Sequence, residues 1–206
     1  MIIDPNKQSF GENHKLMIGS IVPRPIALVS TVSSDAKNNL APFSYFNGIC
    51  SNPPTVMFAP GRRGYDGLTK DTLNNIRETE QFVINIVSNE IGEKMVTCAT
   101  DFPSDVDEFE ISGLTPKRSV KVEPPLVSES KVGFECELNQ IVEIGEGGPG
   151  AGFVVIGTII MFHIDDDVYN DGRIDIEELK PIGRLAGNSY SHIRDTFEII
   201  RKVHID

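Results

Sequence analysis

Short apolar runs rich in β-branched residues recur along the chain and predict buried strands. Residues 25–32 (PIALVSTV), 55–59 (TVMFA) and 82–87 (FVINIV) are typical of strands buried on both faces. In residues 132–138 apolar and polar side chains alternate, which predicts a strand with one wet face. Residues 153–164 (FVVIGTIIMFHI) predict a long strand with a bulge or a close approach at Gly157.

Helical patterns are fewer than strand patterns. Residues 69–80 predict a helix with Asp71 as its N-cap and with Leu73 and Ile76 on one face. Short helices are also expected at residues 90–97 and 174–179, a loop or broken helix at 101–110, and a final strand or helix in the tail FEIIRKVHI. Many strands without strict βαβ alternation predict a mainly β fold, an antiparallel barrel with peripheral α-helices.

Length and composition narrow the class of protein. The 206 residues, with 39% hydrophobic and 24% charged content, predict one folded domain over residues 1–206. The net charge of −11 argues against nucleic acid and anionic membranes as partners, because both need a basic face. The N-terminus does not resemble a signal peptide, and the longest apolar run is too short to span a bilayer, so we expect a cytoplasmic protein.

Two motifs that resemble known binding sites have simpler interpretations. Residues 145–150 spell G-E-G-G-P-G, but a strand follows, so a hairpin loop, which could still cover a site, is favoured over a dinucleotide-binding turn. Residues 167–178 resemble a calcium loop, but Tyr169 occupies a ligand position, so an Asp-Gly turn followed by a short helix is favoured. The cysteines and histidines are scattered, so no metal site is predicted.

The densest group of ligand-binding residue types lies in residues 39–54 (NLAPFSYFNGICSNPP). Small polar donors alternate there with flat aromatic side chains, and Lys70 and Thr72 follow at the start of a predicted helix, where free N–H groups favour phosphate. The alternative is a well-capped loop and an ordinary exposed helix. The densest cationic stretch of this acidic chain is close by in sequence: Arg62, Arg63, Lys70 and Arg77.

Several short motifs, in the same order along the chain, resemble the flavin reductase-like family, the FMN-binding split-barrel group. They are RPIALVST at residues 24–31, NLAPFSYF at 39–46, PP at 53–54, KDTLNNI at 70–76, QFVIN at 81–85, ISGLTP at 111–116 and RLAGNSYS at 184–191. Within this family, the chain most resembles the reductase component of nitrilotriacetate monooxygenase (component B) and the flavoredoxins. The resemblance implies an antiparallel split β-barrel that binds FMN.

The resemblance also implies a set of site residues. Ser44, Lys70 and Thr72 would bind the phosphate, while Asn39, Phe46 and Asn47 would lie nearer the ribityl chain and ring. In similar proteins the site lies at a homodimer interface, so some residues would reach a flavin held by the other subunit. The full set of expected cofactor-binding residues is Thr31, Asn39, Pro42, Phe43, Ser44, Tyr45, Phe46, Asn47, Lys70, Asp71, Thr72, Asn75, Arg184 and Tyr190, of which Arg184 and Tyr190 would be the ones that cross the interface.

The function that the resemblance implies is reduction of FMN by NADH or NADPH, with reduced FMN supplied to a partner monooxygenase. Hydride transfer depends on stacked, oriented rings, so no catalytic side chain is expected. Two alternatives stay open: an electron carrier with tightly bound FMN and no NAD(P)H turnover, and a non-catalytic flavin-binding protein.

Overall fold

A seven-stranded antiparallel sheet forms the body of the protein, which we describe from a computed structural model over residues 1–200. The strands lie in the order β2-β1-β5-β8-β9-β4-β3. Their bounds are β1 Ala27–Val32, β2 Asn38–Phe43, β3 Phe46–Ser51, β4 Pro54–Phe58, β5 Gln81–Ile86, β8 Val132–Ile144 and β9 Gly152–Ile164. Three two-stranded ribbons complete the β structure: β6 Pro116–Lys117 with β7 Leu126–Val127, β10 Tyr169–Asn170 with β11 Arg173–Ile174, and β12 Ile182–Arg184 with β13 Tyr190–His192.

The sheet curls into a barrel that stays open between its two edge strands. β2 and β3 lie at opposite ends of the strand order, yet only Ser44 and Tyr45 separate them in sequence. The backbone N–H of Ala59, just after β4, donates to the carbonyl of Tyr45, and the rings of Phe43 and Phe58 lie 5.0 Å apart. The architecture is therefore the antiparallel split β-barrel that the motifs imply, with helices at its periphery.

The core is divided between the inside of the barrel and a second layer outside it. Phe58, Phe82 and Phe153 fill the interior and are almost fully buried. Strand β1 separates the two layers, because Val29 packs into the interior while Leu28 packs into the outer cluster. This arrangement explains why β1 has the continuous apolar pattern of a strand buried on both faces.

In the described part of the chain, residues 1–200, five α-helices surround the sheet: α1 Phe10–Ser20, α2 Asp71–Thr79, α3 Gly92–Thr97, α4 Glu108–Ser112 and α5 Ile176–Leu179. Leu73 and Ile76 of α2 are fully buried in the barrel interior. α1 was not predicted from the sequence, and it buries none of its residues. Ser9 and Glu12 form a capping box at its start, which is the one local signal that identifies it. Among residues 1–200, no helix combines the length and apolar character needed to cross a membrane.

Most predicted elements are confirmed, and the exceptions have local causes. Residues 39–54 contain two strands, β2 and β3, where the pattern predicts none. The predicted Asp71 cap is wrong: α2 begins at Asp71, and the N-cap is Lys70 in an extended conformation. Residues 101–107 form an irregular segment before α4, as expected. In the tail, residues 197–200 have no regular structure, and residues 201–205 lie outside the described part of the chain.

The two motifs that resemble known binding sites form the hairpin loop, and the turn with a short helix, that the sequence predicts. Residues 145–151 connect β8 to β9, and Gly145, Gly147, Gly148 and Gly150 all have the positive φ that such a hairpin loop requires. Asp171 and Gly172 form the turn between β10 and β11, and the Asp175 carboxylate caps α5 by accepting from the backbone N–H of Glu177. Gly157 is a close approach, because a Cβ there would overlap the ring of Phe82.

A buried carboxylate ties the middle of β8 to an irregular segment. Glu135 is fully buried and accepts hydrogen bonds from three consecutive backbone N–H groups, those of Val120 at 2.8 Å, Lys121 at 2.6 Å and Val122 at 3.1 Å. His163 on β9 pairs with the same carboxylate. Burial alone raises the pKa of Glu135, but these hydrogen bonds outweigh burial and lower that pKa below its usual value.

Candidate functional site

A buried cluster of polar side chains joins β1, β2 and α2. Thr31 Oγ1 accepts hydrogen bonds from Asn39 Nδ2 at 3.2 Å and from Asn75 Nδ2 at 3.0 Å. Asn39 Nδ2 also donates to Thr72 Oγ1 at 2.9 Å. Each of these four residues is at most 9% exposed. The cluster brings together four of the predicted site residues and fixes the start of α2 against the sheet.

The first turn of α2 offers polar groups that are free of the usual cap. Lys70 is the N-cap residue, and no side chain caps this end of the helix. The backbone N–H of Leu73 donates to the Lys70 carbonyl at 3.0 Å, while those of Asp71 and Thr72 and the positive end of the helix dipole are available to an anion. Two cations lie here: Lys70 Nζ is 2.7 Å from Asp101 Oδ1, and Arg63 Nη2 is 3.2 Å from Asp71 Oδ2.

Three adjoining cavities surround this turn, all lined in part by Asp71, and we refer to them together as the α2 cleft. Their volumes are about 70, 500 and 160 Å³. The smallest follows β2 and is lined by Asn39, Ala41, Pro42, Phe43, Arg63, Lys70, Asp71, Thr72, Cys98, Ala99, Thr100, Asp101, Phe102 and Glu108. The α2 cleft is therefore lined by three members of the polar cluster, Asn39, Thr72 and Asn75, and by strand β2 at the edge of the sheet.

Burial raises the pKa of two titratable groups in the wall of the cleft, Glu108 and Cys98. Burial raises the pKa of Glu108, although the carboxylate accepts a hydrogen bond from the backbone N–H of Leu40 at 3.0 Å. Burial likewise raises the pKa of the Cys98 thiol, which keeps it protonated. Neither group has the environment of an activated nucleophile. Sequence reasoning missed Glu108, Asp101 and Thr100 as lining residues, because they lie far from β2 and α2 in the chain.

Four predicted residues lie at the barrel corner rather than in the cleft. Ser44 Oγ accepts from Arg24 Nε at 3.4 Å, and the Arg24 guanidinium lies 6.0 Å from the centre of the Tyr45 ring. Ser44 follows Asn39 by five residues of extended chain, about 16 Å. Ser44 lines none of the three cavities, and its role as a phosphate ligand stays a prediction. Phe46 and Asn47 begin β3 on the far side of this corner.

The remaining predicted groups lie elsewhere. Arg184 and Tyr190 face each other across the β12–β13 ribbon, with the guanidinium 4.5 Å from the ring centre. The four cations Arg62, Arg63, Lys70 and Arg77 do not lie together. The guanidinium groups of Arg62 and Arg77 both lie over the ring of Phe153, at 5.0 and 4.9 Å from its centre. Of the four cations predicted to serve one site, only Arg63 and Lys70 line the cleft.

Comparison with known proteins identifies the family. The sequence pattern of the flavin reductase like domain matches residues 18–178. A protein of Halalkalibacterium halodurans is 37% identical over 202 residues, which are 98% of this chain and 96% of that protein. The crystal structure of nitrilotriacetate monooxygenase component B from Bacillus cereus superposes with a TM-score of 0.92 and 37% identity, covering 97% of this chain and 98% of the other.

A second solved structure is that of an enzyme with a different named activity. The 2-nitrobenzoate 2-nitroreductase NbaA of Pseudomonas fluorescens superposes with a TM-score of 0.87 and 30% identity, covering 100% of this chain and 98% of the other. The family pattern includes β1 to β11, and therefore both walls of the α2 cleft. The chain belongs to the flavin reductase-like family.

Proposed function

We propose that this protein is an NAD(P)H-dependent FMN reductase whose flavin phosphate binds in the α2 cleft. The observation that carries the proposal is the convergence of Lys70, Thr72 and the uncapped start of α2 on one cleft in a member of a flavin reductase family. A helix N-terminus with a lysine and a hydroxyl is a suitable donor set for a phosphate dianion.

The residues present fit the rest of an FMN molecule as well. From Asn39 the cleft follows β2 past Pro42 to Phe43, so a ligand with its phosphate at Thr72 would extend towards the barrel corner. Ser44, Tyr45, Phe46 and Asn47 then border the ring and ribityl chain rather than the phosphate. When bound, the flavin would supply the redox chemistry, which is hydride acceptance from a nicotinamide and onward electron transfer.

The protein's own groups bind and orient in this proposal, and none acts as an acid or base. The Thr31, Asn39, Asn75 and Thr72 cluster fixes the start of α2, and β2 provides a rigid wall. We expect that no single polar substitution abolishes flavin reduction while leaving FMN affinity intact. One such variant would contradict the assignment of all redox chemistry to the flavin.

We further propose that the active protein is a homodimer. The edge strand β3 is exposed along most of its length, with Ile49 50% exposed, and α1 exposes Phe10, Leu16 and Met17. Exposed strand edges are usually covered, and a second copy would do this. Arg184 and Tyr190 of one protomer would then approach the flavin of its partner. Sedimentation should give a mass twice 22.7 kDa, and a protein that is monomeric with FMN bound would contradict this arrangement.

A direct test uses the purified protein with FMN and each nicotinamide nucleotide in the absence of oxygen. A yellow protein that reduces excess FMN with NADH or NADPH is a reductase, and reduced FMN would be available to a partner monooxygenase. A yellow protein that is inert to both nucleotides is an electron carrier instead. Failure to bind any flavin would refute the proposal.

A lysine substitution tests the position of the phosphate. Lys70→Ala should weaken FMN binding about tenfold or more, because it removes a charge-assisted hydrogen bond, and should leave riboflavin binding unchanged. The control is Lys117→Ala, an exposed lysine on β6. Ser44→Ala should not alter the preference for FMN over riboflavin. A larger effect at Ser44 than at Lys70 would place the phosphate at the corner.

Direct reduction of a nitroaromatic acid is a second candidate, favoured by the 30% identity to the Pseudomonas fluorescens nitroreductase over the whole chain. The same flavin site would serve, with the nitro compound rather than free flavin as acceptor. Consumption of NADH or NADPH that depends on 2-nitrobenzoate, at a fixed FMN concentration equal to that of the protein, would support it. Consumption that depends only on added FMN would exclude it.

A further inference from the structure

Arg63, Lys70 and Lys37 line the α2 cleft, and the two at the start of α2, Arg63 and Lys70, are already paired with carboxylates. The Arg63 guanidinium contacts Asp71 at 3.2 Å and Asp66 at 3.8 Å, and the Lys70 ammonium donates to Asp101 at 2.7 Å. A phosphate that binds at Lys70 must therefore share this ammonium with a carboxylate or displace it. Lys70 is the more accessible of the two cations, since its side chain is 30% exposed and that of Arg63 is 19% exposed.

The Asp101 carboxylate is engaged by Lys70 and by no backbone N–H group of residues 1–200, unlike two other carboxylates near the cleft. Asp107 caps α4 through the backbone N–H of Phe109, and Asp66 accepts from the backbone N–H of Leu68. Within residues 1–200, Lys70 Nζ is the one hydrogen-bond partner of the Asp101 carboxylate. Asp101 lies in the irregular segment between α3 and α4, and its contact with Lys70 links that segment to the start of α2 across the mouth of the cleft.

We propose that Asp101 is a built-in competitor of the ligand phosphate, which holds Lys70 in the ligand-free protein and is displaced when a phosphorylated flavin binds. This inference rests on the proposed function. The ion pair between Lys70 and Asp101 is partly exposed and joins two single charges, so it is weak. A phosphate dianion at a helix N-terminus receives several charge-assisted hydrogen bonds at once. The phosphate therefore displaces the Asp101 carboxylate from Lys70, and breaking that ion pair lowers the affinity of the site for FMN. Asp101 sets how strongly the site prefers FMN to an unphosphorylated flavin.

The test compares dissociation constants for FMN and for riboflavin, measured by flavin fluorescence, in the wild type and in Asp101→Asn. We expect Asp101→Asn to bind FMN about two- to fivefold more tightly, the range that corresponds to loss of an exposed ion pair, with riboflavin unchanged. The control is Asp105→Asn, an exposed carboxylate on the same segment that lines none of the three cavities. It makes the same change in net charge and should leave both constants unchanged.

A double-mutant cycle separates competition for Lys70 from simple repulsion by a nearby charge. In a Lys70→Ala background, the gain from Asp101→Asn should disappear, because the ammonium for which Asp101 competes is absent. A gain that persists, or FMN binding that is unchanged or weaker in the single variant, overturns the competitor role while leaving the flavin site standing. A wild type that binds neither flavin refutes the proposed function itself and removes the basis of this inference.

Discussion

Replacing Glu135 by glutamine should destabilise the protein by about 3–5 kcal/mol. The carboxylate is fully buried, and its two oxygens accept from three backbone N–H groups and pair with His163. Glutamine keeps one acceptor oxygen and turns the other into an N–H₂ donor, which then faces donors. Two charge-assisted bonds are lost at about 1.5–3 kcal/mol each, and buried donors stay unpaired.

The assay is urea unfolding of the wild type and Glu135→Gln at about pH 7 and again in acid. Because the folded-state pKa of Glu135 is lowered, its contribution is complete above the unfolded-state pKa of about 4.3 and is lost as the pH falls through the folded-state pKa. The stability difference between the two proteins should therefore shrink in acid. Glu137→Gln, an exposed neighbour on β8, should change the free energy of unfolding by less than about 0.5 kcal/mol. A difference below about 1 kcal/mol at Glu135, or one that does not depend on pH, would refute the reasoning.

Two further substitutions test the cleft and the core. Thr31→Val should lower the free energy of unfolding by about 2 kcal/mol and weaken FMN binding, because the buried amides of Asn39 and Asn75 lose the acceptor that they share. Unfolding and FMN titrations on one preparation would measure both effects. If neither quantity changes, the amides find other partners. Gly157→Ala should lower the stability by at least about 2 kcal/mol, because the new methyl group overlaps the ring of Phe82, and an unchanged thermal midpoint would contradict the tight packing between β9 and β5.

The sequence predicts those parts of the fold whose pattern comes from burial. β1 and β5 are buried on both faces and their continuous apolar runs identify them, while α2 is identified by Leu73 and Ile76. Helix α1 is not predicted from the sequence, because it buries none of its residues and therefore has no helical repeat of apolar residues. Strands β2 and β3 are not predicted from the sequence, because they are edge strands, in which polar residues and Pro42 are tolerated.

The candidate site is predictable only to the extent that its members lie within recognisable motifs. Asn39, Lys70 and Thr72 belong to such motifs and meet at the start of α2. Asp101 has no local signature, because its role depends on a contact with Lys70 across 31 residues of chain. Ser44 is close to Asn39 in sequence, but it lies beyond the end of β2 and lines none of the three cavities, so its role as a phosphate ligand stays a prediction.

The strand order has a consequence for the order of folding. β2 can pair with β1 as soon as both are made, and β5 follows within the same half of the chain. β4 must wait for β9, where Thr55 pairs with Thr158, a separation of roughly a hundred residues that makes this pairing slow. β3 pairs with β4 and is then the outermost strand on that side. One wall of the barrel can therefore form early during synthesis, while the β3–β4 wall can join it only after the chain has been extended through residue 158.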